Sequence, residues 1–160
     1  MKYLTLKIVV TYVKCDECGF KRKIYFFPGF LYGARIVTNK SGSKYAYANL
    51  LKENIIPELK EICQKVFNEE KLTLSKHFID KVISSLYEVT CDPIDNEKIV
   101  TTSIHECVNC KNSKVEQDKE FGEKLLELQM PYVTHECWGN MPEQQKIFIV
   151  REKMIEQGFV

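Results

Sequence analysis

Four of the seven cysteines stand as two Cys-x-x-Cys pairs, Cys15 with Cys18 and Cys107 with Cys110. Two intervening residues let both sulfurs of a pair face one point, while the N–H groups of the turn donate to them. Together the pairs supply the four soft ligands and the tetrahedral arrangement that Zn²⁺ takes in closed, structural sites. Gly19, directly after Cys18, adopts without cost the positive φ such a turn often uses; Lys111-Asn112, after Cys110, is less permissive. Cys-x-x-Cys also carries dithiol redox chemistry, which lowers the nucleophile's pKa at a helix N-terminus. Neither pair opens a helical pattern. The spacing therefore points to one zinc ion held by Cys15, Cys18, Cys107 and Cys110, with a thiol-redox enzyme as a remaining alternative.

The elements that must position these residues follow from periodicity. Leu4, Leu6, Ile8, Val10 and Tyr12 alternate with Thr5, Lys7, Val9, Thr11 and Val13, which predicts a half-buried strand running into Cys15. Lys7 interrupts that apolar stretch and no small-residue cleavage site follows, so it reads as a strand and not as a signal peptide. A second strand is expected from about Lys21 to Phe27, stopped by Pro28-Gly29, and a hairpin over 33–38 and 44–49. The period then changes. Pro57 lies in the first turn of a helix with Ile56, Leu59, Cys63, Val66 and Phe67 on one face, and Ser75 caps another with Phe78, Ile79, Val82, Ile83 and Leu86 inward. Residues 97–106 read as extended, 114–130 as strand or helix, and Tyr132–Trp138 as a strand. Pro142 opens a final helix with Ile147, Phe148, Val150, Met154 and Ile155 apolar, and Gly158 stands where a terminating glycine belongs. Clustered strands, two central helices and a C-terminal helix predict an α+β fold with a mainly antiparallel sheet, as a single domain over 1–160.

Each cysteine pair follows a strand and precedes a basic stretch, Val13-Lys14-Cys15-Asp16-Glu17-Cys18 and His105-Glu106-Cys107-Val108-Asn109-Cys110. This resembles the zinc-ribbon and zinc-knuckle class of metal sites over about residues 11–27 and 103–115. The segment between them is a long α+β insertion, far longer than a free-standing ribbon uses. Closing a longer loop costs only about (3/2)RT ln n, against an apparent 10–16 kcal/mol or so from structural zinc at neutral pH.

With 23 basic and 22 acidic side chains the formal charge is +1, so no global attraction to nucleic acid or to a membrane surface is expected. Four thiolates and Zn²⁺ carry a local charge of −2, and Lys14, Lys21, Arg22, Lys23, Lys111 and Lys114 flank the pairs. These cations either offset the metal centre or, with the aromatic residues of segment 20–32, form a nucleic-acid surface. Lys21, Arg22, Lys23, Phe30 and Tyr32 are accordingly the candidate partner surface. His-Glu-Cys occurs at 105–107 and 135–137; a second metal site through His105, His135 or Cys137 stands against Cys137 buried beside Trp138 as a small hydrophobe. Cys63 and Cys91 read as core or loop thiols, and His77 as a surface residue.

No phosphate-cradling glycine loop, His-Glu-x-x-His helix or nucleophile elbow is present, and four cysteines leave a zinc no open position. The expected function is non-catalytic: a small zinc-containing protein contacting a protein partner, with nucleic-acid binding as the runner-up. Seven cysteines without a secretory pattern point to a reducing, cytoplasmic setting, and no run of about 18 apolar residues is long enough to span a membrane.

Overall fold

The computed structural model describes residues 3–73, 75–100 and 106–160. They gather into two compact units, Met1–Leu50 with Pro93–Val133, and Leu51–Asp92 with Thr134–Val160. The first is built of strands and the second of helices, an α+β protein with two antiparallel sheets. The stretch between the cysteine pairs contributes to both units, its hairpin to the first and its helices to the second.

Unit 1 is organised by β1 (Tyr3–Cys15), a strand of 13 residues that buries Ile8 and Val10 on one face and Thr11, Val13 and Cys15 on the other. β2 (Lys21–Phe26) pairs along one edge, with Lys14 opposite Lys21 and Val9 opposite Phe26. The other edge is shared. β7 (Lys124–Pro131) covers Tyr3 to Val10 and β6 (Val115–Gln117) covers Val13 to Cys15. Residues 114–130, ambiguous by pattern, thus resolve into two strands, and the turn between them is held by Asp118, whose carboxylate accepts the N–H groups of Glu120 and Phe121.

The second sheet has β3 (Ala34–Asn39) between β4 (Tyr45–Asn49) and the two-residue β5 (Ile99–Val100). The expected hairpin over 33–49 is present. Of the expected extended stretch 97–106, Ile99–Val100 is strand and 101–105 lie outside the described residues. The 40–43 turn passes so close to β2 that a Cβ on Gly42, at φ +75°, would sit 1.9 Å from the carbonyl oxygen of Lys23. Only glycine fits there.

Unit 2 packs α1 (Ile55–Glu69), α2 (Lys76–Leu86) and α4 (Glu143–Glu156) around Leu59, Ile62, Cys63, Val66, Phe67, Val82, Ile83, Leu86, Trp138, Val150 and Met154. Ser75 caps α2 as expected, its hydroxyl accepting the N–H of Phe78 at 3.3 Å, and Gly158 closes the C-terminal helix at φ 71°. On α4 only Val150 and Met154 of the expected apolar face are buried; Phe148 and Ile155 are exposed, and Lys146 is buried with its amine on Glu58.

Tyr132–Trp138 is not a strand. Tyr132 forms a single bridge to Tyr47, and Glu136–Gly139 is a short helix, α3. The carboxylate of Asp92 accepts the N–H groups of Glu136 and Cys137 at 2.7 and 2.8 Å and the hydroxyl of Thr134 at 2.7 Å. A cap delivered from a distant part of the chain overrides the local alternation.

Candidate metal centre

β1 ends at Cys15 because the chain turns there. The N–H of Gly19 donates to the carbonyl of Cys15 at 2.9 Å, and the N–H of Cys15 to the carbonyl of Phe20 at 2.9 Å, with Gly19 at φ 69°. The second pair repeats this geometry. Lys111 N–H donates to Cys107 O at 2.8 Å, Cys107 N–H to Asn112 O at 2.8 Å, and Lys111 sits at φ 62°. The positive φ falls on the residue after the second cysteine in both turns, costing nothing at Gly19 and something at Lys111.

Both turns are tied to the end of β1. β2 leaves the first turn opposite Lys14, and β6 leaves the second with Val115 opposite Cys15; Asp16 N–H also donates to Lys114 O at 2.9 Å. Cys18 and Cys107, 89 positions apart in the chain, are thereby brought to 3.6 Å between sulfurs, and Cys15 and Cys110 likewise to 3.6 Å.

The four Sγ atoms lie within 4.8 Å of one another, with Cys15 and Cys107 buried and Cys18 and Cys110 exposed. A tetrahedron of sulfurs about 2.3 Å from a zinc ion has edges of about 3.8 Å, close to the 3.6 Å of the Cys15–Cys110 and Cys18–Cys107 pairs. The donors are four soft sulfurs that require deprotonation to bind. Among the described residues this is the only group of three or more His, Cys, Asp or Glu side chains placed to share an ion.

The electrostatics of the quartet are uneven. The backbone N–H of Phe20 and the amide of Asn109, whose Nδ2 stands 3.7 Å from the sulfur, lower Cys18 to about 6. At Cys110 the N–H of Asn112 favours the thiolate, but desolvation and the sulfurs of Cys18, Cys15 and Cys107 outweigh it and push the thiol up to about 12. One thiolate forms readily and the next is opposed by its neighbours. A divalent cation among them removes that repulsion.

Asn109 was not singled out by spacing, since any residue fits the x positions of Cys-x-x-Cys. Its backbone N–H also points at Cys107 Sγ (3.4 Å), and its side-chain oxygen accepts from Lys40 Nζ at 2.7 Å, which orients the amide toward Cys18.

The flanking cations are mostly engaged locally. Lys21 pairs with Asp118 and lies 5.0 Å from the Tyr12 ring centroid; Lys23 lies 5.6 Å from the same ring. Lys111 stands 3.9 Å from Glu106 and Lys114 3.8 Å from Glu17. Arg22 is no surface residue: it is 3% exposed, because on β2 it shares a face with buried Ile24. Phe30 and Tyr32 are 87% and 73% exposed, with ring centroids 6.1 Å apart and exposed Leu31 between them in the chain.

None of the other described candidates belongs to the quartet. His105 is outside the described residues. His135 engages Glu53 (Nε2 to Oε2, 2.9 Å) and the carbonyl of Thr90 (Nδ1, 2.8 Å), and the Tyr87 hydroxyl donates to the same carboxylate. Cys137 is exposed in α3 and is not the buried small hydrophobe that the sequence offered, since successive residues of a helix point about 100° apart and only Trp138 is buried. Cys63 is fully buried, and burial pushes its thiol up to about 12; His77 is exposed.

Comparison with family models, with curated proteins and with solved structures returns no match. No described helix is long and apolar enough to cross a membrane.

Proposed function

We propose that unit 1 binds one structural zinc ion through Cys15, Cys18, Cys107 and Cys110 in a ribbon-like pair of turns, and that the chain is a non-catalytic binding protein in the cytoplasm. The observation that carries the metal reading is the convergence of four sulfurs from two matching turns within 4.8 Å. Four protein ligands leave the ion no site for water or substrate, which favours a structural role over a catalytic one. The surface best suited to a protein partner is the Phe30–Tyr32 loop, where two large aromatic residues and a leucine face solvent together. The basic segment supports a polyanion partner less well: Arg22 is buried and Lys21 is paired with Asp118. A dithiol enzyme is supported less well because, among the described residues, neither pair opens a helix.

Native mass spectrometry of the purified chain tests the metal reading. The expected mass is that of the protein with one zinc, lost on treatment with a strong chelator and absent from Cys107→Ser. A chain that carries no metal and cycles reversibly between dithiol and disulfide would replace this reading with the redox one. For the partner surface, a photo-crosslinking residue at Phe30 should capture a protein that the same residue at exposed Lys7 does not. Salt-sensitive crosslinking to nucleic acid instead would move the assignment to the basic segment.

A further inference from the structure

A buried arginine lines a small cavity together with two of the four cysteines, Cys15 and Cys107. Arg22 sits on β2 opposite Val13 and, with Val13, Cys15, Phe20, Glu106, Cys107, Val108 and Val115, lines a cavity of about 10 Å³. Its Nη2 donates to Thr38 Oγ1 at 2.7 Å and to the carbonyl of Asn39 at 3.4 Å. Its Nε and Nη1 are buried and have no hydrogen-bond partner among the described residues. Burial opposes its charge, and the group that favours that charge is Cys107. The one carboxylate lining the cavity, that of Glu106, is half exposed and stands 3.9 Å from Lys111.

A buried cation with two idle nitrogens is a costly arrangement unless an anion is built beside it. Four thiolates around a divalent ion are such an anion, with a net −2. We propose that Arg22 is the internal counter-charge of the four-cysteine centre, a positioning residue that holds the metal-loaded state while its other end rests on β3. This rests on the zinc reading above. The lysines around the turns are screened by solvent, and Lys21, Lys111 and Lys114 stand near acids, so they contribute far less than a charge fixed in a dry site. The arrangement also accounts for the Thr38 and Asn39 contacts. Through them, filling the centre braces the β3–β4 hairpin as well as the two cysteine turns.

The role has a signature that simple packing lacks. With metal bound, Arg22 is compensated and stabilising; with the thiols protonated and metal absent, it is an unpaired buried charge. The full chain is compared with Arg22→Met and Arg22→Lys, reading zinc affinity by chelator competition and the melting temperature of metal-free and zinc-loaded forms. Arg22→Met is expected to weaken zinc binding about 10- to 100-fold, the range for residues that support metal ligands from behind. It should lower the melting temperature of the zinc-loaded form and leave the metal-free form unchanged or higher. Arg22→Lys, which restores charge without the planar donors, should recover part of the affinity. Unchanged zinc affinity in Arg22→Met, or an equal fall in both melting temperatures, would overturn the proposal while leaving the zinc reading intact. Should Arg22→Met fail to fold even with metal, Arg22→Lys decides: affinity near wild type supports the counter-charge, and affinity lost beyond 100-fold contradicts it. Wild-type protein that takes up no zinc would overturn both readings at once.

Discussion

The helices of unit 2 meet on a continuous apolar core, with Leu59, Cys63, Val66, Phe67, Val82, Leu86, Trp138, Val150 and Met154 all essentially inaccessible to solvent. Unit 1 is more mixed at its cysteine end, where among the described residues Val13 and Ile24 are buried beside polar side chains. Its apolar cluster centres on Ile8, Val10, Tyr47 and Met130, while the residues buried toward the turns include Thr11, Arg22, Thr38 and Asn39. Apolar burial, at about 25 cal/mol per Å², is the main favourable term for the helices, whereas near the two turns it is shared with buried polar side chains. What unit 1 has instead is four sulfurs at metal-binding distance. On the zinc reading, one region is held by area removed from water and the other by coordination, so different treatments should undo them.

The sharpest break in that comparison is metal loss. Cys107→Ser, or a strong chelator on the wild type, should abolish zinc binding and with it the order of residues 11–27 and 106–117, because structural zinc contributes an apparent 10–16 kcal/mol or so. Hydrogen exchange should show these segments losing protection. Trp138, the single tryptophan, is 1% exposed inside unit 2, so its fluorescence reports separately on the helical core and should change little.

The converse experiment is Leu59→Ala. Truncating a fully buried leucine should cost about 2–5 kcal/mol in denaturant melts followed by Trp138, with zinc stoichiometry unchanged. Cys63→Ala is a smaller version, about 1 kcal/mol, and also separates the cysteines by role: the thiol is buried in the helical core, so its loss should leave one zinc per chain. Loss of the metal in either variant would break the comparison.

The smallest expected effect is a pH dependence confined to unit 2. Burial disfavours the charged imidazole of His135, but Glu53 and the Thr90 carbonyl outweigh it and hold its pKa above the ordinary 6.5. A raised folded-state pKa means the folded form binds the proton more tightly. The contribution is therefore complete below the unfolded value and lost as pH rises through the folded one. Trp138-detected melting temperature should fall between mildly acidic and mildly alkaline solution, and His135→Gln should flatten that fall. A slope of the opposite sign would show that the imidazole is neutral in the fold.

The sequence was most readable where one physical signal acted alone. Alternation marked β1 as a strand, though not the switch of its buried face after Val10, helical spacing defined the buried faces of α1 and α2, and sulfur spacing picked out the four cysteines that converge. It was least readable where a distant group decides. Nothing near Glu136 announces that Asp92 will cap it, and Glu53, which engages His135, lies 82 positions away. Arg22 is an intermediate case. Lys21-Arg22-Lys23 looks like a surface cluster, yet the period of two along β2 puts Arg22 in register with Ile24, and that signal was in the sequence. The partner of its buried charge was not, because Cys107 arrives from far along the chain.

X-ray absorption at the zinc edge, on protein purified without added metal, tests the central claim most directly. The account predicts one zinc per chain with a first shell of four sulfurs at about 2.3 Å. A first shell containing nitrogen or oxygen, or protein without zinc that keeps the full hydrogen-exchange protection of both cysteine turns, would contradict it.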